Sequence, residues 1–150
     1  MNLNVSKEFF DDVKNNFLKN NGDGIDEEIV DVVMRWKNMP VLDKICPRWS
    51  CQSHNDTCRK SEYEIIFVTQ DDGSEILYKL YEEMTRYLTL NYGLGLLAST
   101  SYRIVTLLNN PYGSYPHIQL CISTSGVPEY IEVSKEAWNH ALDKLEKGEL

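Results

Sequence analysis

The spacing of apolar residues divides the chain into segments of helical pattern and segments of extended pattern. In the helical segments, apolar residues recur three or four positions apart, as on one face of an amphipathic helix. The extended segments are short runs rich in β-branched and aromatic residues. Four segments have the helical pattern: 5–19, 26–38, 74–91 and 135–147. Four have the extended pattern: 62–70, 101–108, 116–123 and 129–133.

The order of these elements predicts an α+β fold, α-α-β-α-β-β-β-α. Short polar turns join the last three strands, which favours antiparallel pairing. We expect a mainly antiparallel sheet of about four strands with helices packed on one face. The length of 150 residues fits one domain. Its predicted parts are an N-terminal helical hairpin over 1–39, a cysteine-rich loop over 40–61, and the sheet with its helices over 62–150.

The predicted loop concentrates the reactive side chains of the chain. It has no apolar period, it contains two prolines, and many of its residues are Ser, Asn, Asp and Thr, which favour loop structure. Three of the four cysteines and one of the three histidines lie within it. Three sulfurs and one imidazole make a complete tetrahedral zinc set. The candidate zinc ligands are Cys46, Cys51, His54 and Cys58.

Three states of these cysteines stay open from sequence. The ligand spacing lacks the Cys-x2-Cys pair of standard zinc modules, so free thiols remain an alternative to a structural zinc. A disulfide between Cys46 and Cys58, or one involving Cys51, is the third state. The cofactor prediction is therefore none, or one structural zinc. Cys121, on a predicted strand, is interpreted as a packing residue.

The net charge of −8 is unevenly distributed along the chain. Segments 1–39, 62–100 and 101–150 carry −3, −5 and −2, whereas 40–61 carries +2. The cysteine-rich loop is therefore a basic island on an acidic protein. An acidic chain disfavours binding to a phosphate backbone and fits a basic protein partner.

The most acidic segment, 62–100, is also rich in tyrosine, a residue enriched at protein interfaces. We therefore predict that the protein acts by macromolecular binding, as an inhibitor, immunity protein or antitoxin directed against a basic partner. The predicted partner-binding residues are Asp71, Asp72, Tyr78, Tyr81, Glu82 and Glu83.

The alternative function is a zinc-stabilised regulatory module whose cysteine-rich loop contacts an anionic ligand. Its predicted contact residues are Arg48, Trp49, Arg59 and Lys60. We identify no catalytic residues, since no serine lies in a Gly-x-Ser-x-Gly turn and no pair of carboxylates is marked out by spacing. His117 and His140 are interpreted as surface or structural histidines, and the sequence favours a non-enzymatic role.

The apolar pattern also bears on location. No apolar run approaches the ~20 residues that a membrane span needs, and the N-terminus lacks the pattern of a secretion signal. We expect a cytoplasmic protein without a membrane partner, in which clustered cysteines are reduced.

Overall fold

A computed structural model describes residues 5–20, 25–51, 62–70, 72–93, 100–107 and 117–150. The helices are α1 (Lys7–Asn20), α2 (Glu27–Trp36), α3 (Gly73–Tyr92) and α4 (Ile131–Glu146). The strands are β1 (Ile45–Cys51), β2 (Glu62–Thr69), β3 (Ser101–Leu107) and β4 (His117–Ser125). Short 3-10 turns lie at Pro40–Asp43 and Pro128–Tyr130. The predicted α+β class is confirmed, with four helices, a four-stranded antiparallel sheet and the helices first.

The sheet has the order β1-β2-β4-β3, and every neighbouring pair is antiparallel. The central strand β2 is buried from Tyr63 to Thr69, on both of its faces. Such a strand forms a continuous apolar run rather than an alternating one, as the sequence Ile-Ile-Phe-Val does. The sheet is therefore built around β2 and its neighbour β4.

One face of the sheet is covered by α2, α3 and α4. The ring of Phe67 in β2 lies 5.0 Å from Trp36 of α2 and 5.9 Å from Trp138 of α4, between ring centroids. The indole N–H of Trp36 donates to the backbone oxygen of Ile45, 3.2 Å away, which joins α2 to β1. Tyr102 of β3 donates its hydroxyl to the backbone oxygen of Ser74, which joins β3 to α3. Three of the four helices thus lie on this face, and α1 lies against β1.

Residues 45–51 form strand β1, where the sequence predicted a loop. Proline lacks a backbone N–H and is tolerated at strand edges and bulges. Pro47 satisfies both conditions, because β1 is an edge strand and its register with β2 shifts between Pro47 and Trp49. The remaining part of the predicted loop, residues 52–61, lies outside the described residues.

The strand predicted over 129–133 is wrong, because these residues form the second 3-10 turn and the first turn of α4. The short run of Tyr130, Ile131 and Val133, interrupted by a glutamate, has the composition of a strand. However, Ile131 continues the buried helical face formed by Ser134 and Trp138. Ser134 lies within the first turn of α4 and donates its hydroxyl to the backbone oxygen of Ser125 at 2.6 Å.

The described helices also bear on membrane insertion: none of them combines the length and the apolar character needed to cross a membrane.

The ring contacts around Phe67 predict a large loss of stability in Phe67→Ala. This side chain is fully buried, and removing a buried aromatic ring costs about 3–5 kcal/mol. Urea unfolding followed by circular dichroism measures the loss. Leu90→Ala is the matched control, since Leu90 is 77% exposed, and we expect a change within about 0.5 kcal/mol. Equal losses in the two variants would contradict this account of the core.

Candidate functional site

Three tyrosines form a cluster between α3 and the edge strand β3. Tyr78, Tyr81 and Tyr102 contact one another, with ring centroids 5.5 to 5.8 Å apart. Tyr78 is 47% exposed, whereas Tyr81 and Tyr102 are half-buried. Burial, followed by the proximity of Tyr78, raises the pKa of Tyr102, so its ring stays neutral at physiological pH. We call these three residues the tyrosine cluster.

The exposed ring of Tyr78 is flanked along α3 by two carboxylates, Glu75 and Glu82. Residues three or four positions apart share one side of a helix, and both glutamates are exposed. Lys79 compensates Glu75 through an ion pair of 3.6 Å. Glu82 has no hydrogen bond or ion pair to any described residue. The tyrosine cluster is therefore bordered by one uncompensated negative charge.

Four of the seven carboxylates of segment 62–100 have basic partners in the structure. Arg103 donates to Glu64 at 2.7 Å and to Glu62 at 3.4 Å, while Glu75 and Glu83 have basic partners of their own. Among the described carboxylates of this segment, those without a basic partner are Asp72, at the N-terminus of α3, and Glu82. The segment charge of −5 therefore overstates the negative charge available to a partner.

Glu83 is removed from the predicted partner-binding surface, because its side chain faces α4. The residue is 3% exposed. Its Oε1 atom lies 2.9 Å from His140 Nε2 and 3.0 Å from Lys144 Nζ, and Arg86 donates to Oε2. Burial by itself raises the pKa of Glu83, but the hydrogen bonds from His140 and Lys144 outweigh it and hold the pKa below its ordinary value. Glu83 therefore joins α3 to α4 rather than contacting a partner.

The same interface contains two more tyrosines of α3. The ring of Tyr87 stacks on His140 with centroids 4.5 Å apart. The hydroxyl of Tyr92 donates to Glu136 of α4, and this hydrogen bond raises the pKa of Tyr92 to about 12. Two of the four tyrosines of α3 thus serve the packing of α3 on α4, which leaves Tyr78 and Tyr81 for the tyrosine cluster.

Sequence reasoning missed Tyr102 and Ile104 of β3 as neighbours of α3. Tyr102 contacts both Tyr78 and Tyr81, and Ile104, two positions further along the same face of β3, is 44% exposed. No local pattern links residues separated by more than 20 positions. For His140, a signal was present: His140 and Lys144 lie four positions apart on one side of α4, and one carboxylate of α3 can accept from both.

The opposite face of the sheet contains a buried polar group. The carboxylate of Glu64 is fully buried and accepts from Arg103, which also donates to Ser123 at 3.2 Å. The thiol of Cys121 is buried beside them, and burial raises its pKa to about 12. Cys121 is therefore a packing residue, as predicted, and its thiol stays protonated.

Cys46, one of the four candidate zinc ligands, is fully buried on β1. The backbone positions of Cys46 and Cys51 lie five residues apart along β1, about 16 Å at about 3.3 Å per residue. Two cysteine sulfurs on one zinc lie within about 4 Å of each other, since each Zn–S bond is about 2.3 Å. In addition, burial raises the pKa of the Cys46 thiol to about 12. Cys46 is in no disulfide with a described residue; the zinc set and the disulfide between Cys46 and Cys58 stay predictions, because Cys58 lies outside the described residues.

The remaining residues of the cysteine-rich segment are only partly described. Trp49 is 44% exposed on β1, and Arg48 lies at the bulge, half-buried. His54, Cys58, Arg59 and Lys60 lie outside the described residues, as does Asp71 of the predicted partner surface. Across the described ranges, no three His, Cys, Asp or Glu side chains converge on a position that could hold a metal ion.

Comparison with known proteins finds no protein family, curated protein or solved structure that matches this chain. A function therefore has to be inferred from the residues themselves.

Burial of Cys46 and Cys121 predicts that neither thiol reacts with an aromatic disulfide reagent in the folded protein. The double variant Cys51→Ser/Cys58→Ser leaves only these two thiols, both of which are fully buried. We expect both thiols to react promptly in urea. In the absence of urea they should react only when the protein unfolds, because the thiolate is the reactive species and burial keeps both thiols protonated. Rapid reaction of either thiol in the native double variant would contradict the placement of that residue.

The lowered pKa of Glu83 predicts a stability that depends on pH. A carboxyl group whose pKa is lower in the folded state stabilises the fold above its unfolded pKa, which is that of an ordinary glutamate. That contribution is lost as the pH falls through the folded pKa. We expect Glu83→Gln to lower the free energy of unfolding by about 1–3 kcal/mol near pH 7, with the difference from wild type shrinking at acidic pH.

Urea unfolding over a series of pH values measures this difference. Glu132→Gln is the matched control, because Glu132 lies on the exposed side of α4 in a surface ion pair with Lys135. We expect that control to change stability little at any pH. A Glu83→Gln difference that does not vary with pH would contradict the stabilising role of the ionised carboxylate.

Proposed function

We propose that the protein acts by binding another protein, as an inhibitor of the immunity or antitoxin type, and that its partner is basic. The observation that carries this proposal is the tyrosine cluster, whose Tyr78 is exposed, with the uncompensated carboxylate of Glu82 beside it. Tyrosine supplies a large and rigid contact area at low entropic cost, and it is enriched at interface hot spots.

Charge gives the second line of support. A net charge of −8 accelerates association with a basic partner and disfavours nucleic acid. At the tyrosine cluster itself, Glu82 is the described carboxylate that is available for ion pairs. Cation–π contact with a Lys or Arg of the partner would use the face of Tyr78.

The alternative of a zinc-stabilised module has less support. The proposed ligand set is Cys46, Cys51, His54 and Cys58, and the anion-contact residues of that proposal with described positions are Arg48 and Trp49. The exposure of Trp49 is compatible with contact to a ligand. Zinc analysis of the purified protein, with Cys51→Ser and Cys121→Ser compared, tests this alternative: bound zinc lost in Cys51→Ser and kept in Cys121→Ser would support it.

The test of the proposed function starts with affinity capture from the native cell and then titrates the purified partner. We expect a partner of net positive charge whose affinity falls by more than about tenfold between about 50 and about 300 mM salt. Tyr78→Ala should weaken binding by at least about tenfold, as a central aromatic contact does.

Leu90→Ala is the matched control for Tyr78→Ala, because Leu90 is an exposed apolar residue of the same helix. We expect this variant to bind within about twofold of wild type. Recovery of no basic partner, or an affinity that does not respond to salt, would overturn the proposed function.

A further inference from the structure

The two edges of the sheet differ in how they are protected. Edge strands expose unpaired backbone groups, and proteins shield them with proline, bulges or charges. β1 contains Pro47 and a bulge. β3 pairs with β4 in unbroken register from Ser101 to Leu107 and contains neither proline nor a bulge. Among the described strands, none lies beside β3 on the side away from β4.

The one charge of β3 does not shield its edge. The guanidinium of Arg103 lies over the face of the sheet, where it donates to Glu64 and Glu62 of β2. The other residues of the strand are apolar, aromatic or hydroxyl-bearing. β3 therefore retains the features of a strand that accepts another strand.

An exposed apolar surface lies directly beside this edge. Tyr102 and Ile104 share the face of β3 that meets α3, and Tyr78 of α3 contacts Tyr102 at 5.5 Å between ring centroids. Ile104 and Tyr78 are 44% and 47% exposed. A strand added to β3 would place alternate side chains over this surface, since successive side chains point to opposite faces.

The negative charge at this surface indicates which kind of segment can bind there. Glu82 lies one helical turn from Tyr78 and has no partner among the described residues. A second copy of the chain added to β3 would bring its own α3, with the uncompensated Glu82, towards this same carboxylate. Like charges would then oppose self-association, whereas Lys or Arg would find both a carboxylate and an aromatic face.

We propose that the edge of β3 binds an extended basic segment of the partner protein as an added strand. An apolar side chain of that segment covers Ile104, and a cationic one lies between Tyr78 and Glu82. This mode of recognition obtains affinity from backbone hydrogen bonds and specificity from alternate side chains. It rests on the proposed function, because it specifies how the basic partner is held.

A blocked peptide of alternating arginine and valine serves as the probe. Calorimetry measures its affinity for the full chain, and nitrogen–proton correlation spectra locate its site. We expect chemical-shift changes at residues 101–107 and around Tyr78 and Glu82. Methylation of every second backbone nitrogen of the peptide keeps its charge but removes N–H donors, and should weaken binding by at least about tenfold.

Substitutions in the protein test the side-chain contacts. Ile104→Lys and Glu82→Lys should each weaken binding by at least about tenfold, whereas Asp12→Lys on the exposed side of α1 should stay within about twofold. Circular dichroism checks that each variant is folded. The methylated peptide uses the unmodified protein, so it tests the proposal even where a variant fails to fold.

Several results would overturn the proposal. They are equal binding of the methylated peptide, shift changes that leave 101–107 unaffected, and sedimentation showing a dimer that Ile104→Lys dissociates. A basic partner that binds Ile104→Lys as tightly as wild type would overturn the strand addition while leaving the proposed function in place. Peptide binding at β3 without any basic partner would overturn the function and retain the strand-accepting edge.

Discussion

Burial of β2 on both faces is the constraint on which the rest of the structure depends. On one face, Phe67 contacts a tryptophan from α2 and another from α4, so three elements distant in sequence meet at one ring. On the other face, the fully buried carboxylate of Glu64 accepts a hydrogen bond from Arg103 of β3. Both faces of one strand thus fix the positions of helices and strands around it, by close packing on one side and by charge pairing on the other.

Pairing of charges across elements decides which acidic groups are available for function. Seven carboxylates fall between residues 62 and 100, and a count by segment treats them as one acidic surface. Ion pairs with Arg103, Lys79 and Lys144 leave uncompensated carboxylates, among the described residues, only in a small region of α3. Lys144 and Arg103 come from elements later in the chain, so only the folded protein reveals that Glu82 is uncompensated while Glu83, its neighbour, is not.

The prediction from sequence succeeded where a single period dominates a segment. The helices 5–19 and 74–91 and the strand at 62–70 were placed within a few residues, because their apolar spacing is long and regular. It failed over 45–51 and 129–133, where local signals conflict. Pro47 and the polar neighbours of Trp49 favour a loop by their local sequence, but pairing with β2 makes this segment a strand. Ile131 favours a strand by its local sequence, but in the structure it packs on the buried face of α4.

The amino-acid sequence by itself determined the fold class, the four helices, most of the strands and the sign of the charge, since these follow from local periodicity and composition. It also indicated α3 as a surface of interest through its tyrosines. Only the tertiary structure decided which tyrosines are exposed, which glutamates are neutralised, and that Cys46 is buried in strand β1. These properties depend on distances between residues far apart in the chain, and such distances are set by packing around β2 rather than by any local pattern.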